Sequence, residues 1–214
     1  MIAVVNYGLG NLASVRNAFR AAGTEVEVTS EPDVIRRASG VVLPGVGAAS
    51  AGMEQLRSRR LDGVVLDVAQ SRRPLLGICL GMQLLFEHSE EGNADCLGLI
   101  PGGVHLLRGA EKIPHIGWNQ VAVQSQTELW SGLPSAPYFY FVHSYVCEPA
   151  DKSACVGTTD YGGDFCSAVS YGSVWGTQFH PERSGDMGMK VIKNFAACCD
   201  SESLDVAPSS YRKF

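Results

Sequence analysis

The sequence predicts a single α/β domain: a central, mostly parallel sheet flanked by helices, with additional antiparallel strands in the second half. Three observations lead there. Apolar strand-like runs alternate with segments of helical period through the first half, the signature of a parallel sheet covered on both faces. The second half breaks into short runs punctuated by glycine and proline, which suits antiparallel strands. The 214 residues are 45% hydrophobic and 18% charged, enough apolar surface for one sizeable core and too little charge for a disordered chain.

Taken in order, Ile2 to Asn6 reads as the first strand. Leu12, Val15, Ala18, Phe19 and Ala22 recur at helical spacing. Val26 and Val28 mark a second strand. Val41 to Leu43 form a third, closed by Pro44-Gly45-Val46-Gly47. Helices follow through Met53 and Leu56 and through Val64, Val65 and Val68. Leu75 to Ile78 is a fourth strand, and a helix with Met82, Leu85 and Phe86 on one face is expected straight after it. Beyond Gly102-Gly103, strands are expected at Tyr138 to Val142, Cys155 to Thr159, Phe165 to Ser170 and Val174 to Phe179. A last helix carries Met187, Val191, Phe195 and Cys199 on one stripe. No repeat or linker divides the chain, so residues 1–200 read as one domain. The polar, aperiodic 201–214 reads as a frayed tail.

The bulk properties exclude several function classes. A formal charge of −5 without a basic run argues against nucleic acid. The start lacks the features of a signal peptide, and no apolar run is long enough to span a bilayer. Seven cysteines without a Cys-x-x-Cys pair fit a soluble cytoplasmic protein. All of them except Cys79 read as small buried apolar residues, and no metal or cofactor is implied.

Cys79 is different because of its frame. Gly77-Ile78-Cys79-Leu80-Gly81 is G-x-C-x-G between a strand and a helix, the thiol form of a nucleophile elbow. The turn forces the central residue into a strained conformation, and the glycines let neighbouring backbone pass. A helix N-terminus aimed at the sulfur favours the thiolate. A lone cysteine at a strand end is more often core, but this context outweighs that reading.

A thiol nucleophile needs a base, and the base needs an orienting group. Five histidines are available. His88 falls at the end of the expected elbow helix, in solvent. His105 sits in an apolar strand pattern and reads as structural. Spacing leaves His115 and His143 open. His180 ends an apolar strand in Gly176-Thr177-Gln178-Phe179-His180-Pro181-Glu182. Glu182, two residues on along extended chain, can share its direction and hold the imidazole tautomer. Oxyanion donors are expected from the N–H of Leu80, just past the nucleophile, and from Val46 in the glycine-rich loop after the third strand.

Seven blocks in order carry a resemblance: NYGLGNL (6–12), LPGVGA (43–48), GICLGMQLLFEHSEEG (77–92), GLIPGGV (98–104), PHIGWN (114–119), YFVHSY (140–145) and GTQFHPERSG (176–185). Together they resemble the class I (triad) glutamine amidotransferase family, and within it the glutaminase subunits that serve a cyclase. The resemblance implies that Cys79 attacks the side-chain amide of L-glutamine, that His180 moves the proton, and that Glu182 orients His180. It implies that ammonia passes to a (β/α)8 cyclase subunit making imidazole glycerol phosphate and an aminoimidazole carboxamide ribotide in histidine biosynthesis. It also implies that Gly47, Gln83, Glu91, Ser144 and Tyr145 hold the glutamine. Leu9, Asn11, Ser14, Trp118, Asn119, Tyr140 and Arg183 match the face toward the cyclase, with Arg183 where the family pattern has lysine. Fused forms continue into the barrel and this sequence does not, so the expected assembly is a heterodimer. Weak glutamine hydrolysis by the subunit alone is expected, on the reading that the Pro44–Gly47 peptide needs turning before Val46 N–H faces the oxyanion and that a loaded partner biases the turn.

Three rivals stand beside this reading. One is another amidotransferase subunit of the same class, such as those serving anthranilate or pyridoxal phosphate synthesis. One is a dinucleotide-binding module, since Gly8-Leu9-Gly10-Asn11-Leu12-Ala13 fits G-x-G-x-x-A with Glu27 downstream. The third is a non-catalytic scaffold on the same fold.

Overall fold

The computed structural model describes residues 1–200; the segment 201–214, expected to be a frayed tail, lies outside the described residues. Strands β1 (Ile2–Val5), β2 (Val26–Thr29), β3 (Gly40–Gly45) and β4 (Leu75–Cys79) alternate with helices α1 (Leu12–Ala21), α2 (Pro32–Arg37), α3 (Ala49–Ser58) and α4 (Leu61–Gln70). One turn of helix, α5 (Leu80–Gln83), follows β4. Then come β5 (Gly102–Leu106), β6 (His115–Gln120), β7 (Tyr138–His143), β8 (Tyr145–Pro149), β9 (Cys155–Asp160), β10 (Asp164–Tyr171), β11 (Val174–Thr177) and α6 (Gly185–Asp200). The main sheet runs β2-β1-β3-β4-β11-β10-β8-β5. Its pairs are parallel from β2 to β11 and antiparallel from there to β5. The expected fold class is the one observed. Strands β6 and β7 form a separate antiparallel pair.

Every residue of β1, β3 and β4 is buried, as a parallel sheet with two covered faces requires. The alternation of side chains divides them between two cores. Ala3, Val5, Val41, Leu43 and Leu75 pack with Met53, Leu56, Val64, Val65 and Val68 of α3 and α4. Ile2, Val4, Val42, Leu76 and Ile78 pack on the other face with Val15 and Phe19 of α1 and Ile192 and Phe195 of α6. A third core, with Trp130, Phe139, Phe141, Phe179 and Val191, seats the β6–β7 pair against α6. Phe139 and Phe179 stack there with centroids 3.9 Å apart. Among the described residues no helix is long and apolar enough to cross a membrane.

Four features differ from expectation. Helix α2 has only six residues, too few for a periodic signal, although Pro32 at its start suits a helix N-terminus. Strands β6 and β8 alternate between inward and exposed positions without a continuous apolar run. The elbow helix ends after Gln83, because the carbonyls of Leu84, Leu85 and Phe86 accept from the N–H groups of residues 97–100 and cannot continue a helical ladder. His88 therefore lies in a two-residue strand with Asp95 Oδ1 3.4 Å from its ring, not at a helix end. Cys96, Cys155 and Cys198 are half-buried at the core margin, not fully enclosed.

Candidate active site

The site forms where β3, β4 and β11 end side by side, outside the carboxyl edge of the parallel sheet, where ligands of such sheets bind. Gly45 pairs with Cys79 and Thr177 with Ile78. Cys79 thus stands between Gly45 and Gln178. Its φ of 54° and ψ of −110° give the strained corner the motif predicts. The flanking glycines are needed for packing. A Cβ on Gly77 would lie 2.7 Å from Gly81 and Met82 backbone, and one on Gly81 would run into the carbonyl oxygen of Leu43. Because α5 is a single turn, its help to a thiolate is confined to the free N–H groups of that turn, Leu80 N–H among them.

His180 leaves β11 with its N–H donating to the Tyr140 carbonyl at 2.9 Å. Pro181 opens a 3₁₀ turn, Pro181–Arg183, that brings Glu182 back to the imidazole. His180 Nδ1 lies 2.8 Å from Glu182 Oε1, and both side chains are almost completely buried. Ser184 Oγ accepts from Tyr140 N–H at 2.9 Å and donates to the His180 carbonyl at 2.6 Å, so the turn is tied to β7. Burial opposes the imidazolium, but hydrogen bonding and charge attraction with Cys79 and Glu182 outweigh it and raise the His180 pKa to about 10. With Nδ1 committed to the carboxylate, Nε2 is the ring atom left to exchange a proton with the sulfur; it is buried and makes no ordinary hydrogen bond. Cys79, His180 and Glu182 come together as expected, in an arrangement able to form a thiolate–imidazolium pair.

A polar chain runs through the site. Gln83 Nε2 donates to the Tyr145 carbonyl at 3.2 Å and to Gln178 Oε1 at 3.1 Å. Gln178 Nε2 lies 3.7 Å from Cys79 Sγ. From the other side His143 Nδ1 reaches the same Tyr145 carbonyl at 2.9 Å, and His143 Nε2 faces His115 Nδ1 at 3.0 Å. Asn119 Nδ2 closes the chain 3.4 Å from His115 Nε2. Burial lowers the pKa of His115 to about 4 and that of His143 to about 3, so both are neutral near pH 7. Sequence spacing left these two histidines open and gave Gln178 no part. The available signal was that Gln178 and His180, two apart on extended chain, share a direction.

The remaining expected residues fall on or around this edge. Val46 is 42% exposed just past Gly45, and Gly47 has φ of 99°. Glu91 Oε2 accepts from Ala49 N–H at 2.9 Å, capping α3, and burial raises its pKa against that bond. Ser144 joins β7 to β8, and Tyr145 is the first residue of β8. On the outer face of β6–β7, Trp118 and Tyr140 meet at 6.3 Å, and the Arg183 guanidinium sits 4.2 Å from the centre of the Tyr140 ring. Trp118, Ile116 and Tyr138 are more than half exposed. Asn119 turns to the inner side, its Nδ2 donating to the Asp160 carbonyl at 2.9 Å. Asn11 caps α1 by accepting from Ser14 N–H at 3.3 Å, and Leu9 packs partly against the core. His105 pairs with Glu90 on the surface.

That cap also argues against the dinucleotide reading. The Ser14 N–H that a pyrophosphate would use is taken by Asn11. The space a Cβ would occupy on Gly8 is bounded by Arg59 and Gln55, and that on Gly10 by Leu12 and Pro44. Among the described residues no cluster of three or more His, Cys, Asp and Glu side chains could hold a metal ion.

Comparison with known proteins agrees with this geometry. The family described as "Glutamine amidotransferase class-I" matches residues 3–198. The imidazole glycerol phosphate synthase subunit HisH of Bacillus cereus (strain G9842) is 47% identical over 196 residues, covering 91% of this chain and 93% of that protein. The HisH subunit of Dehalococcoides mccartyi (strain CBDB1) is 48% identical over 196 residues, covering 91% and 96%. Among solved structures, a glutamine amidotransferase superposes with a TM-score of 0.74 at 16% identity over 93% of this chain and 99% of that one. PurLQS from Thermotoga maritima superposes with 0.71 at 19% identity over 91% and 96%; at such identities these two speak to the fold alone. The chain belongs to the class-I glutamine amidotransferase family, in its branch of imidazole glycerol phosphate synthase HisH subunits.

Proposed function

We propose that this chain is the glutamine-hydrolysing subunit of imidazole glycerol phosphate synthase, working in the cytoplasm as a heterodimer with a (β/α)8 cyclase. The observation that carries the reading is the buried His180–Glu182 pair, 2.8 Å apart, interacting with a thiol held at a strained strand end. His180 Nε2 takes the thiol proton, and the thiolate attacks the side-chain carbonyl carbon of L-glutamine. The oxyanion is met by Leu80 N–H and, once the loop is turned, by Val46 N–H. The tetrahedral intermediate collapses, and His180 returns the proton to the departing nitrogen as ammonia. Water, deprotonated by His180, cleaves the γ-glutamyl thioester, releasing glutamate and restoring the thiol.

Gly47, Gln83, Glu91 and the backbone of Ser144 and Tyr145 hold the amino-acid end of the substrate in this reading. The exposed apolar face with Trp118 and Tyr140, continued by Arg183, Leu9, Asn11 and Ser14, meets the cyclase. Ammonia then enters the partner, where the lyase step makes imidazole glycerol phosphate and the aminoimidazole carboxamide ribotide. The test is the assembled pair fed with glutamine or with an ammonium salt. Cys79→Ala is expected to abolish the glutamine-fed reaction and spare the ammonium-fed one; a variant that still uses glutamine overturns the reading. Glutamine turnover with the loaded partner should exceed that of the subunit alone, and equal rates would defeat the loop argument.

A further inference from the structure

Gln178 has no part in the scheme above, yet it is fully buried and its amide lies against the reacting sulfur. The direction of that amide follows from donor and acceptor rules. The Tyr145 carbonyl can only accept, and it has two lone pairs. One takes His143 Nδ1–H and the other takes Gln83 Nε2–H. The nitrogen end of the Gln83 amide is thereby fixed, and its second hydrogen points at Gln178. Gln178 must answer with its oxygen, which leaves its nitrogen end, a pure donor, facing Cys79 Sγ at 3.7 Å. Reversing the Gln178 amide would set two donors against each other beside Gln83 and an oxygen against the sulfur.

Cys79 has a second polar neighbour, the Val142 carbonyl at 3.8 Å, which can accept only from the S–H form. The two contacts respond oppositely to proton loss. When His180 takes the proton, the S–H contact to Val142 disappears, while the N–H from Gln178 becomes a charge-assisted bond to a thiolate.

We propose that Gln178 is a further residue of the catalytic site, donating its side-chain N–H to the Cys79 sulfur so that the thiolate is stabilised and held in place, with Gln83 and the Tyr145 carbonyl fixing the amide. The proposal rests on the reading of Cys79 as the nucleophile. It assigns Gln83 a second task, that of aligning Gln178 in addition to facing the substrate. It also makes the sulfur's environment depend on the strap from His143 to Tyr145.

Two substitutions test it in the subunit assembled with its cyclase. Gln178→Glu keeps an oxygen for Gln83 and replaces the N–H at the sulfur. Gln178→Met removes both polar ends at similar length. The other titratable neighbours of the sulfur, His180, Tyr7 and Cys147, stay in place. The readouts are the pH profile of iodoacetamide alkylation at Cys79, mapped by mass spectrometry, and kcat and KM for glutamine. Loss of the donor should move the alkylation midpoint up by about one pH unit. It should lower kcat for glutamine about tenfold and leave the ammonium-fed rate unchanged. Gln178→Glu also brings a negative charge to the sulfur, so the neutral Gln178→Met carries the positive result, with Gln178→Leu standing in if it fails to fold. A folded Gln178→Glu variant with an unmoved midpoint and kcat within twofold of wild type overturns the proposal. If alkylating Cys79 in the wild-type pair leaves glutamine turnover intact, the nucleophile reading itself has failed, an outcome distinct from the first.

Discussion

The turns that follow β3 and β4 lie side by side, since Gly45 pairs directly with Cys79, but they are built in opposite ways. The β4 turn is closed. Cys79 is 6% exposed, Gly77 and Gly81 are in near contact across the corner, and Gly81 is pressed on the Leu43 carbonyl. The β3 turn is open beyond Gly45. Val46 is 42% exposed, and nothing lies within 4 Å of where a Cβ on Gly47 would stand. A nucleophile must be held within a fraction of an ångström of its target, and close packing does that. A donor that comes into play only with a partner needs a peptide free to turn. The contrast assigns fixed geometry to Cys79 and adjustable geometry to Val46.

The largest expected effect breaks the closed turn. Gly81→Ala drives a methyl group into the Leu43 carbonyl, and backbone cannot yield cheaply there. A loss of about 3 kcal/mol or more is expected, seen as poor soluble yield or a collapsed urea midpoint. Gly47→Ala meets no neighbour, and its cost comes only from φ of 99°, about 1–2 kcal/mol. Equal losses at the two glycines would remove the distinction between the turns.

Next comes the donor on the open turn. Val46→Pro deletes the N–H expected to meet the oxyanion. Partner-stimulated glutamine turnover should fall about 100-fold, with thermal stability near wild type because Val46 is exposed. Ammonium-fed synthesis should be unaffected. A small change in the glutamine-fed rate would show that Leu80 N–H suffices and that the open turn serves another purpose.

The closed turn was more legible in sequence than its bracing. The glycines around Cys79 announce a tight corner because no other residue tolerates backbone at that distance. His180-Pro181-Glu182 announces a strand end with two polar groups on one side. Runs such as Ala3-Val4-Val5 and Val41-Val42-Leu43 disclose the parallel sheet because both faces are covered. The bracing was hidden for a physical reason. His115 and Gln178 are 63 positions apart in sequence and meet only through strand pairing and the Tyr145 carbonyl. A backbone carbonyl leaves no mark on residue type. The length of α5 was likewise hidden, because residues 97–100 that end it lie beyond any local window.

A smaller effect probes that bracing by pH. Burial holds the pKa of His143 near 3 and that of His115 near 4, below the usual value of about 6.5 in an unfolded chain. The unfolded chain therefore binds protons first as pH falls. The stability that the neutral pair contributes is complete above pH 6.5 and is lost as pH drops toward 4 and then 3. For His143 the slope approaches about 1.4 kcal/mol per pH unit at most. Urea unfolding at pH 7 and pH 5 should show His143→Asn less acid-sensitive than wild type, though less stable at pH 7. Parallel curves would mean that His143 titrates alike in both states and does not brace the closed turn in its neutral form.

The smallest expected effect lies under the seam between the turns. The Tyr7 hydroxyl is buried against Gly45 and has no hydrogen-bond partner. Burial, and secondarily Cys79, raise its pKa well above the usual value, so it stays a neutral phenol. A buried hydroxyl without a partner carries a desolvation cost that nothing offsets. Tyr7→Phe removes that oxygen while keeping the ring that fills the core, so stability should rise by up to about 1 kcal/mol. Glutamine turnover should stay within twofold of wild type, both alone and with the cyclase. The informative departure is a variant of normal stability that loses only the stimulation by the partner. That result would mean the hydroxyl gains its bond when the Gly45–Val46 peptide turns, which would make Tyr7 the hinge contact of the open turn and not a passive wall of the closed one.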